Sequence, residues 1–197
     1  SRDRLTRVRD DERMLIEHLA HVAILRLGLD VHGGAGHGVH DLLRERLGSD
    51  IAFVNGGAIR VNDDVPAGGD LRVYELEGIF YYDDKPVVFE LTGREILGLL
   101  EKSVSQATLG HGRFLQVAGL RFSYEVAPDG KTRVDAADVT VRPAGGTEFA
   151  PLELDRRYRA ATLTYTWRNG YRDGYPLFSA GAGDGGTSPA LLEKPDA

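Results

Sequence analysis

Short apolar runs of strand type are interleaved irregularly with helical segments in this chain, and that order constrains the fold more than any other feature. Residues 51–54 and 86–91 are apolar runs typical of buried strands. Thr92 and Glu95 then form a predicted capping box, and apolar residues at 96, 99 and 100 give the following helix a buried stripe. Because strands and helices do not alternate one for one, we predict an α+β fold rather than a doubly wound sheet.

Weaker signals complete the predicted order of elements. Helical spacing predicts a helix over residues 10–27 and a second one over residues 39–47. Apolar and polar residues alternate over 120–126, which is typical of a half-buried strand, and Asp129-Gly130 then predicts a hairpin turn. Residues 158–165 are predicted to form one long strand that ends at Tyr165.

Charge and composition exclude several classes of function. The chain has 24 basic and 30 acidic residues, whereas duplex-binding domains are usually basic, so we expect no nucleic-acid partner. An anion site in a protein with a net charge of −6 must depend on arginines placed close to the anion. The absence of cysteine excludes disulfides, thiolate nucleophiles and cysteine zinc sites. No apolar run reaches the length of a membrane span, so none is expected.

Four segments, taken together and in order, carry a family resemblance. They are Ile51-Ala-Phe-Val-Asn-Gly-Gly-Ala-Ile-Arg60, Phe89-Glu-Leu-Thr-Gly-Arg-Glu-Ile-Leu97, Gly112-Arg-Phe-Leu-Gln-Val-Ala-Gly-Leu-Arg-Phe-Ser-Tyr124, and Leu154-Asp-Arg-Arg-Tyr-Arg-Ala-Ala-Thr162 with the later Asp173-Gly174-Tyr175. This series resembles the C-terminal domain of the 5'-nucleotidase family, which includes UDP-sugar hydrolases and cyclic-nucleotide phosphodiesterases. The resemblance implies a mixed sheet with flanking helices over residues 1–178, in which residues 1–49 are a weakly matching helical lead-in. Residues 179–197 are rich in Gly, Ala and Ser, and that composition predicts a loose C-terminal tail.

The resemblance also implies a function, namely the substrate-binding domain of a metal-dependent phosphohydrolase that acts on nucleotides. Asn55 matches the family asparagine that contacts the base or ribose, and its amide offers both a donor and an acceptor. Arg60 matches the arginine that binds the substrate phosphate, for which a permanently charged guanidinium fork is well suited. From the residues alone, Asn55 could instead stabilise its own turn, and Arg60 could be a solvated loop arginine.

Five further residues complete the predicted substrate site. Two rings that would hold the base between them fall at Tyr82 and Tyr165, although an alternating-strand tyrosine is more often half-buried packing. Gly119 matches a glycine that lets the base edge approach the backbone, and Asp173 matches the aspartate that holds the ribose hydroxyls. Arg9 is the candidate for a second phosphate-binding arginine. Trp167 and Arg172 are expected to intrude near Asp173.

The resemblance places catalysis outside this chain. Hydrolysis by two metal ions needs about half a dozen His, Asp and Asn ligands, and the family's metal motifs do not occur here. We therefore expect no cofactor and no catalytic residue in this chain, and two divalent metal ions in an N-terminal metallophosphatase domain that would be its partner. His37 and His40 could contact a metal, and His18 and His21 share one face of a predicted helix. No carboxylates accompany them at a matching spacing, however, and loop histidines near glycines are usually solvated.

Two hypotheses follow. In the first, the domain supplies the specificity for a nucleotide or related phosphoester. In the second, it is a free-standing binding or interaction module that kept the fold and lost nucleotide hydrolysis. A third possibility is a purely structural domain that binds no ligand. Export to the periplasm or the cell surface is suggested by the resemblance only.

Overall fold

The structure is a computed structural model, and it describes residues 39–58, 84–109, 111–175, 177–178 and 189–193. The helix predicted over residues 10–27 lies outside these ranges. Within them, the α-helices are α1 (Val39–Arg46), α2 (Gly93–Val104) and α3 (Thr164–Asn169), and single turns of 3-10 helix cover Gly56–Ala58, Ala107–Leu109, Ala136–Asp138 and Gly170–Asp173. The strands are β1 (Ile51–Asn55), β2 (Pro86–Thr92), β3 (Leu115–Ala118), β4 (Leu120–Arg121), β5 (Tyr124–Val126), β6 (Thr132–Val134), β7 (Thr140–Val141), β8 (Ala150–Pro151), β9 (Arg157–Leu163) and β10 (Leu191–Glu193).

The main sheet of the described residues has five strands in the order β10-β2-β9-β1-β3. β1 pairs with β9 in parallel, while β3 lies antiparallel to β1, and β2 lies antiparallel to β9. β4, β7 and β8 form a small separate sheet, and β5 pairs with β6 in a hairpin. Because strands of both directions share one sheet and helices flank it, the predicted α+β fold is confirmed.

Both faces of the main sheet are covered. Ile51, Phe53 and Phe89 belong to the larger core cluster together with the apolar stripe of α2, whereas Ala52 and Val54 pack with Leu43 of α1 on the other face. Successive side chains of a strand point to opposite faces, so β1 must be apolar on both sides, and all five of its residues are buried. This double burial explains the unbroken apolar run that marks β1 in the sequence.

Helix α2 begins as its sequence predicts. The Thr92 hydroxyl accepts a hydrogen bond from the Glu95 N–H at 3.3 Å, and the Glu95 carboxylate accepts one from the Thr92 N–H at 2.6 Å. The capping box is therefore confirmed. Gly93 follows at the point where the helix meets the segment before β9, and its N–H donates to the Arg156 carbonyl at 3.0 Å. None of the helices in the described ranges combines the length and apolar character needed to cross a bilayer.

Two predicted strands are wrong in their extent. The run over residues 120–126 is split between β4 and β5, and Tyr124 and Val126 are exposed rather than half-buried. The long strand predicted to reach Tyr165 ends at Leu163, where α3 begins. Its cap comes from a distant residue, because one carboxylate oxygen of Asp84 accepts hydrogen bonds from the Thr164 hydroxyl at 2.8 Å and the Tyr165 N–H at 2.6 Å.

Part of the predicted tail is ordered in the main sheet. Leu191–Glu193 form β10, which pairs antiparallel with β2 at the edge of the sheet. The Trp167 indole N–H donates to the Pro189 carbonyl at 3.0 Å, which fastens the start of this strand to α3. The expectation of a loose tail over residues 179–197 therefore does not hold for residues 189–193. The sequence does not reveal this, because three residues give no periodicity.

Candidate functional site

The candidate site lies where the carboxyl ends of β1 and β9 meet. We call this border of the main sheet the edge where β1 and β9 end, as distinct from the edge strands β10 and β3. These two strands run in parallel, so Asn55 at the end of β1 and α3 after β9 meet at the same edge. β3 begins at this edge too, because Leu115 pairs with Asn55. Ligands of open sheets with parallel strands commonly bind beyond the carboxyl ends of those strands, where loops carry side chains off a rigid frame.

Asn55 is held in a fixed orientation by α3. The residue is 7% exposed, and its Oδ1 accepts a hydrogen bond from the Thr166 hydroxyl at 3.2 Å. Thr166 is itself 2% exposed, so this bond is shielded from competing water. A Cβ added to Gly57 would lie 3.5 Å from Nδ2 of Asn55, so the glycine leaves space beside the nitrogen of the amide.

Backbone groups continue the β1–β3 pairing past Asn55. The Gly56 N–H donates to the Phe114 carbonyl at 2.8 Å, and the Gly57 N–H donates to the Gly112 carbonyl at 2.9 Å. A Cβ on Gly56 would lie 3.2 Å from the Phe114 carbonyl oxygen, which is tight, and a Cβ on Gly112 would lie 3.4 Å from the backbone of Gly57. These glycines let two backbone segments approach closely next to the Asn55 amide.

An open pocket of about 310 Å³ adjoins the glycine contact. Its lining residues in the described part of the chain are Gly56, Ala107, His111, Gly112, Phe114, Gln116 and Tyr124. The rings of Phe114 and Tyr124 meet edge to face with their centroids 6.4 Å apart. Gly112 was not assigned a role from the sequence. It lies three residues before the first residue of β3, and its closeness to β1 follows from the pairing of these two strands, which the sequence alone does not show.

Tyr165 lies in the first turn of α3, at the same edge as Asn55. Its backbone is fixed by Asp84, and 39% of the residue is exposed. A tyrosine at the end of a half-buried strand would pack against the sheet, whereas this one lies on a helix that starts beyond it. The helix thus leaves part of the Tyr165 ring accessible, as stacking on a base requires.

Asp173 lies in the 3-10 turn that follows α3 and is partly exposed. Gly174 closes the turn with φ of +82°, a conformation that favours glycine, and its N–H donates to the Tyr171 carbonyl. Two neighbouring residues, Trp167 and Arg172, were expected to intrude near Asp173, and the structure shows contacts for both. Trp167 packs partly buried against the main core, and the Arg172 guanidinium donates to the Tyr171 hydroxyl at 3.1 Å.

Gly119 lies near the start of β1, at the opposite end of the strands from Asn55. It follows Ala118, which pairs with Ala52 near the start of β1, so the length of β1 separates it from the candidate site. Its φ is +74°, and an added Cβ would lie 2.2 Å from the Asp50 carbonyl and 2.5 Å from Nε of Arg44. The expectation that Gly119 lines the same cleft is therefore corrected, and the glycine instead makes room for the buried Arg44.

Arg44 explains why that glycine is required. Its guanidinium donates to the carbonyls of Asp50 at 2.8 Å, Arg142 at 2.7 Å and Pro143 at 3.0 Å. Burial lowers the pKa of Arg44, and the nearby Arg142 acts in the same direction. An arginine remains charged at neutral pH despite such shifts, so this group joins α1 to the segment after β7 as a structural cation.

The remaining predicted site residues, Arg9, Arg60 and Tyr82, lie outside the described residues. His37 also lies outside them, while His40 is placed 3.5 Å from Asp41 in α1. Across the described ranges, no group of three or more His, Asp or Glu side chains is placed to hold a metal ion.

Comparison with known proteins identifies the family. The sequence matches the family described as 5'-nucleotidase, C-terminal domain, over residues 28–180. The trifunctional nucleotide phosphoesterase protein YfkN of Bacillus subtilis (strain 168) is 32% identical over 136 residues, which cover 69% of this chain and 9% of that protein. The snake venom 5'-nucleotidase of Macrovipera lebetinus is 26% identical over 128 residues, 64% of this chain and 31% of the relative.

The solved structures agree with the sequence comparisons. The 5'-nucleotidase precursor from Thermus thermophilus superposes with a TM-score of 0.53 at 34% identity, over 66% of this chain and 25% of that one. The chain thus spans less than a third of the length of each of these proteins. Because the family match covers more than half of the sequence, the chain belongs to the 5'-nucleotidase C-terminal domain family.

Proposed function

We propose that this domain binds the nucleotide or related phosphoester substrate of a metal-dependent 5'-nucleotidase-type phosphohydrolase. The observation that carries the proposal is the Asn55 amide, which Thr166 orients at the edge where β1 and β9 end, beside the closely packed glycine backbones. A fixed amide can accept and donate at defined positions, which is what recognition of a base or ribose requires.

The other predicted residues would complete the contacts. The partly exposed Tyr165 ring would stack on the base, with Tyr82 on its other face. Asp173 would accept hydrogen bonds from the ribose hydroxyls. Arg60 and Arg9 would bind the phosphate, since a chain with a net charge of −6 must supply local cations to hold an anion.

Hydrolysis itself is assigned to a separate domain. We propose that a metallophosphatase domain holds two divalent metal ions, which would polarise the phosphoester and activate a water molecule. The relatives named above are a nucleotide phosphoesterase and 5'-nucleotidases several times longer than the segment they share with this chain. One of these relatives is a venom protein, and we propose that this chain is exported as well. Recovery of the native protein from the cytosolic fraction would contradict an exported location.

Calorimetric titration of the chain with adenosine, AMP and UDP-glucose tests the binding function. The Arg60→Ala variant removes the proposed phosphate contact. Arg94→Ala is the matched control, because Arg94 is exposed at the start of α2, at the opposite edge, and pairs with Asp155 at 2.9 Å. Both variants lose one positive charge, so a general electrostatic effect would weaken both equally.

The proposal predicts that the chain binds AMP, that Arg60→Ala weakens AMP roughly tenfold or more, and that its affinity for adenosine changes little. That factor corresponds to loss of a hydrogen bond to a charged group, about 1.5–3 kcal/mol. Equal effects of Arg60→Ala and Arg94→Ala would contradict the phosphate assignment. A folded chain that produces no heat with any of the three ligands would contradict the binding function itself.

A further inference from the structure

A buried tyrosine joins the two sides of the candidate site. Tyr175 is 1% exposed, and its ring packs against Phe178 with the ring centroids 6.4 Å apart. Its hydroxyl donates a hydrogen bond to the backbone carbonyl of Arg113, which is 62 residues away in the chain. Tyr175 belongs to the last of the four segments that carry the family resemblance, and that resemblance gave it no role.

The carbonyl that Tyr175 binds belongs to the glycine-lined side of the site. Arg113 lies between Gly112 and Phe114, whose carbonyls accept from the N–H groups of Gly57 and Gly56. On the other side of this segment, the Leu115 N–H donates to the hydroxyl of Ser103 at 2.8 Å, and Ser103 is fully buried. The segment is thus fixed by backbone bonds on one side and by two buried hydroxyls on the other.

The same tyrosine is tied to the Asp173 turn. Its N–H donates to the Gly170 carbonyl at 3.1 Å, which fixes Tyr175 relative to the turn that carries Asp173. Burial raises the pKa of Tyr175, and the Asp173 carboxylate nearby acts in the same direction, while Ser103 and Arg113 oppose them. The phenol therefore stays protonated at neutral pH and remains a hydrogen-bond donor.

We propose that Tyr175 is a positioning residue, whose hydroxyl sets the spacing between Asp173 and the backbone at Gly112. This inference rests on the proposed function, in which Asp173 receives the ribose hydroxyls while the base lies against Asn55 and the glycines. Without the hydroxyl, the bond from Tyr175 to the Arg113 carbonyl is lost, and the Asp173 carboxylate is no longer held by it at a set distance from the base site.

The test compares Tyr175→Phe with Tyr158→Phe. Tyr158 is 2% exposed, and its hydroxyl accepts a hydrogen bond from the Glu153 N–H at 2.9 Å. It pairs with Leu91 at the opposite end of β9 from the site. The two substitutions therefore remove the same atom from equally buried rings, one beside the site and one far from it.

Calorimetry then measures the affinity of each protein for adenosine and for 2',3'-dideoxyadenosine, which lacks both ribose hydroxyls. We expect the wild-type chain and Tyr158→Phe to prefer adenosine roughly tenfold or more, as for hydrogen bonds to a charged group. Tyr175→Phe is expected to lose most of this preference while still binding both nucleosides. A loss of stability alone would weaken both nucleosides by the same factor and leave their ratio unchanged.

Amide hydrogen exchange of the unliganded proteins provides a second measurement. Exchange at Gly57 and Leu115 should be roughly fivefold faster or more in Tyr175→Phe than in Tyr158→Phe, the effect of losing one neutral hydrogen bond. An unchanged nucleoside preference in Tyr175→Phe would overturn the inference. If the wild-type chain binds neither nucleoside, the proposed function fails, and equal exchange in the two variants would then overturn the positioning role independently.

Discussion

Gly93 gives the sharpest prediction about the fold, because the structure supplies its own control in the same helix. A Cβ added to Gly93 would lie 2.3 Å from the Glu153 carbonyl oxygen and 2.8 Å from the Leu154 Cα. Both are backbone atoms and cannot move aside as a flexible side chain would. The Cβ of an alanine at Gly98, in the middle of α2, would meet no heavy atom within 4 Å other than those of its chain neighbours and the backbone of its own helix.

The two substitutions should therefore have opposite signs. Gly93→Ala forces the segment before β9 away from α2, and overpacking of this kind typically costs about 1–3 kcal/mol. Gly98→Ala should stabilise the protein by about 0.5–1 kcal/mol, because glycine in a helix interior is less favourable than alanine by that amount. The variants should thus differ by about 1.5–4 kcal/mol in the free energy of unfolding.

Urea denaturation followed by circular dichroism measures that difference, and thermal unfolding checks it. For a chain of this size, each kcal/mol corresponds to roughly 2–4 °C in Tm. The order of Tm should be Gly98→Ala above wild type, and wild type above Gly93→Ala. If Gly93→Ala were as stable as Gly98→Ala, the close approach of α2 to the segment before β9 would be refuted.

Three further predictions concern the site and the termini of helices. Thr166→Val keeps the side-chain shape but removes the donor to Asn55, and it should lower the free energy of unfolding by about 1–3 kcal/mol in urea denaturation. In a double-mutant cycle with Asn55→Ala, strictly additive losses would contradict the contact. Thr92→Ala removes the capping box and should cost about 0.5–2 kcal/mol by the same assay, and an unchanged midpoint would contradict the cap. Burial lowers the pKa of His40 below 6.5, with Asp41 opposing, so the unfolded state binds its proton first. The contribution of neutral His40 to stability is complete above pH 6.5 and is lost as the pH falls. His40→Gln should therefore lose less free energy of unfolding than wild type between about pH 7.5 and 5, and equal dependence on pH in the two proteins would contradict this.

Elements whose signals are local could be predicted from the sequence. β1 is apolar on both faces, and the capping box of α2 is complete within four residues, so neither depends on distant contacts. The position of Asn55 at the end of a strand followed by two glycines could be read in the same way. These local features were sufficient to predict the α+β fold without any knowledge of tertiary contacts.

Features that depend on distant partners could not be predicted. The residues before Tyr165 have ordinary strand propensity, so the sequence does not show where the strand ends. Asp84 caps α3 at Thr164, and this cap comes from 80 residues earlier in the chain. Gly119 and Gly112 flank the same strand, and only the antiparallel register of β3 against β1 tells which one lies beside Asn55. The family resemblance named Gly119, whereas the register places Gly112 at the end of β3 that lies beside Asn55.

The most direct test of the account is to observe where a nucleotide binds. In heteronuclear NMR of the chain titrated with AMP, we predict shifts of the Asn55 side-chain amide and of the backbone amides of Gly57 and Gly112. The amide of Gly119, at the opposite edge, should not move. Shifts concentrated around Gly119 and Arg44, or no shifts at millimolar AMP in a folded sample, would contradict a nucleotide site at the edge where β1 and β9 end.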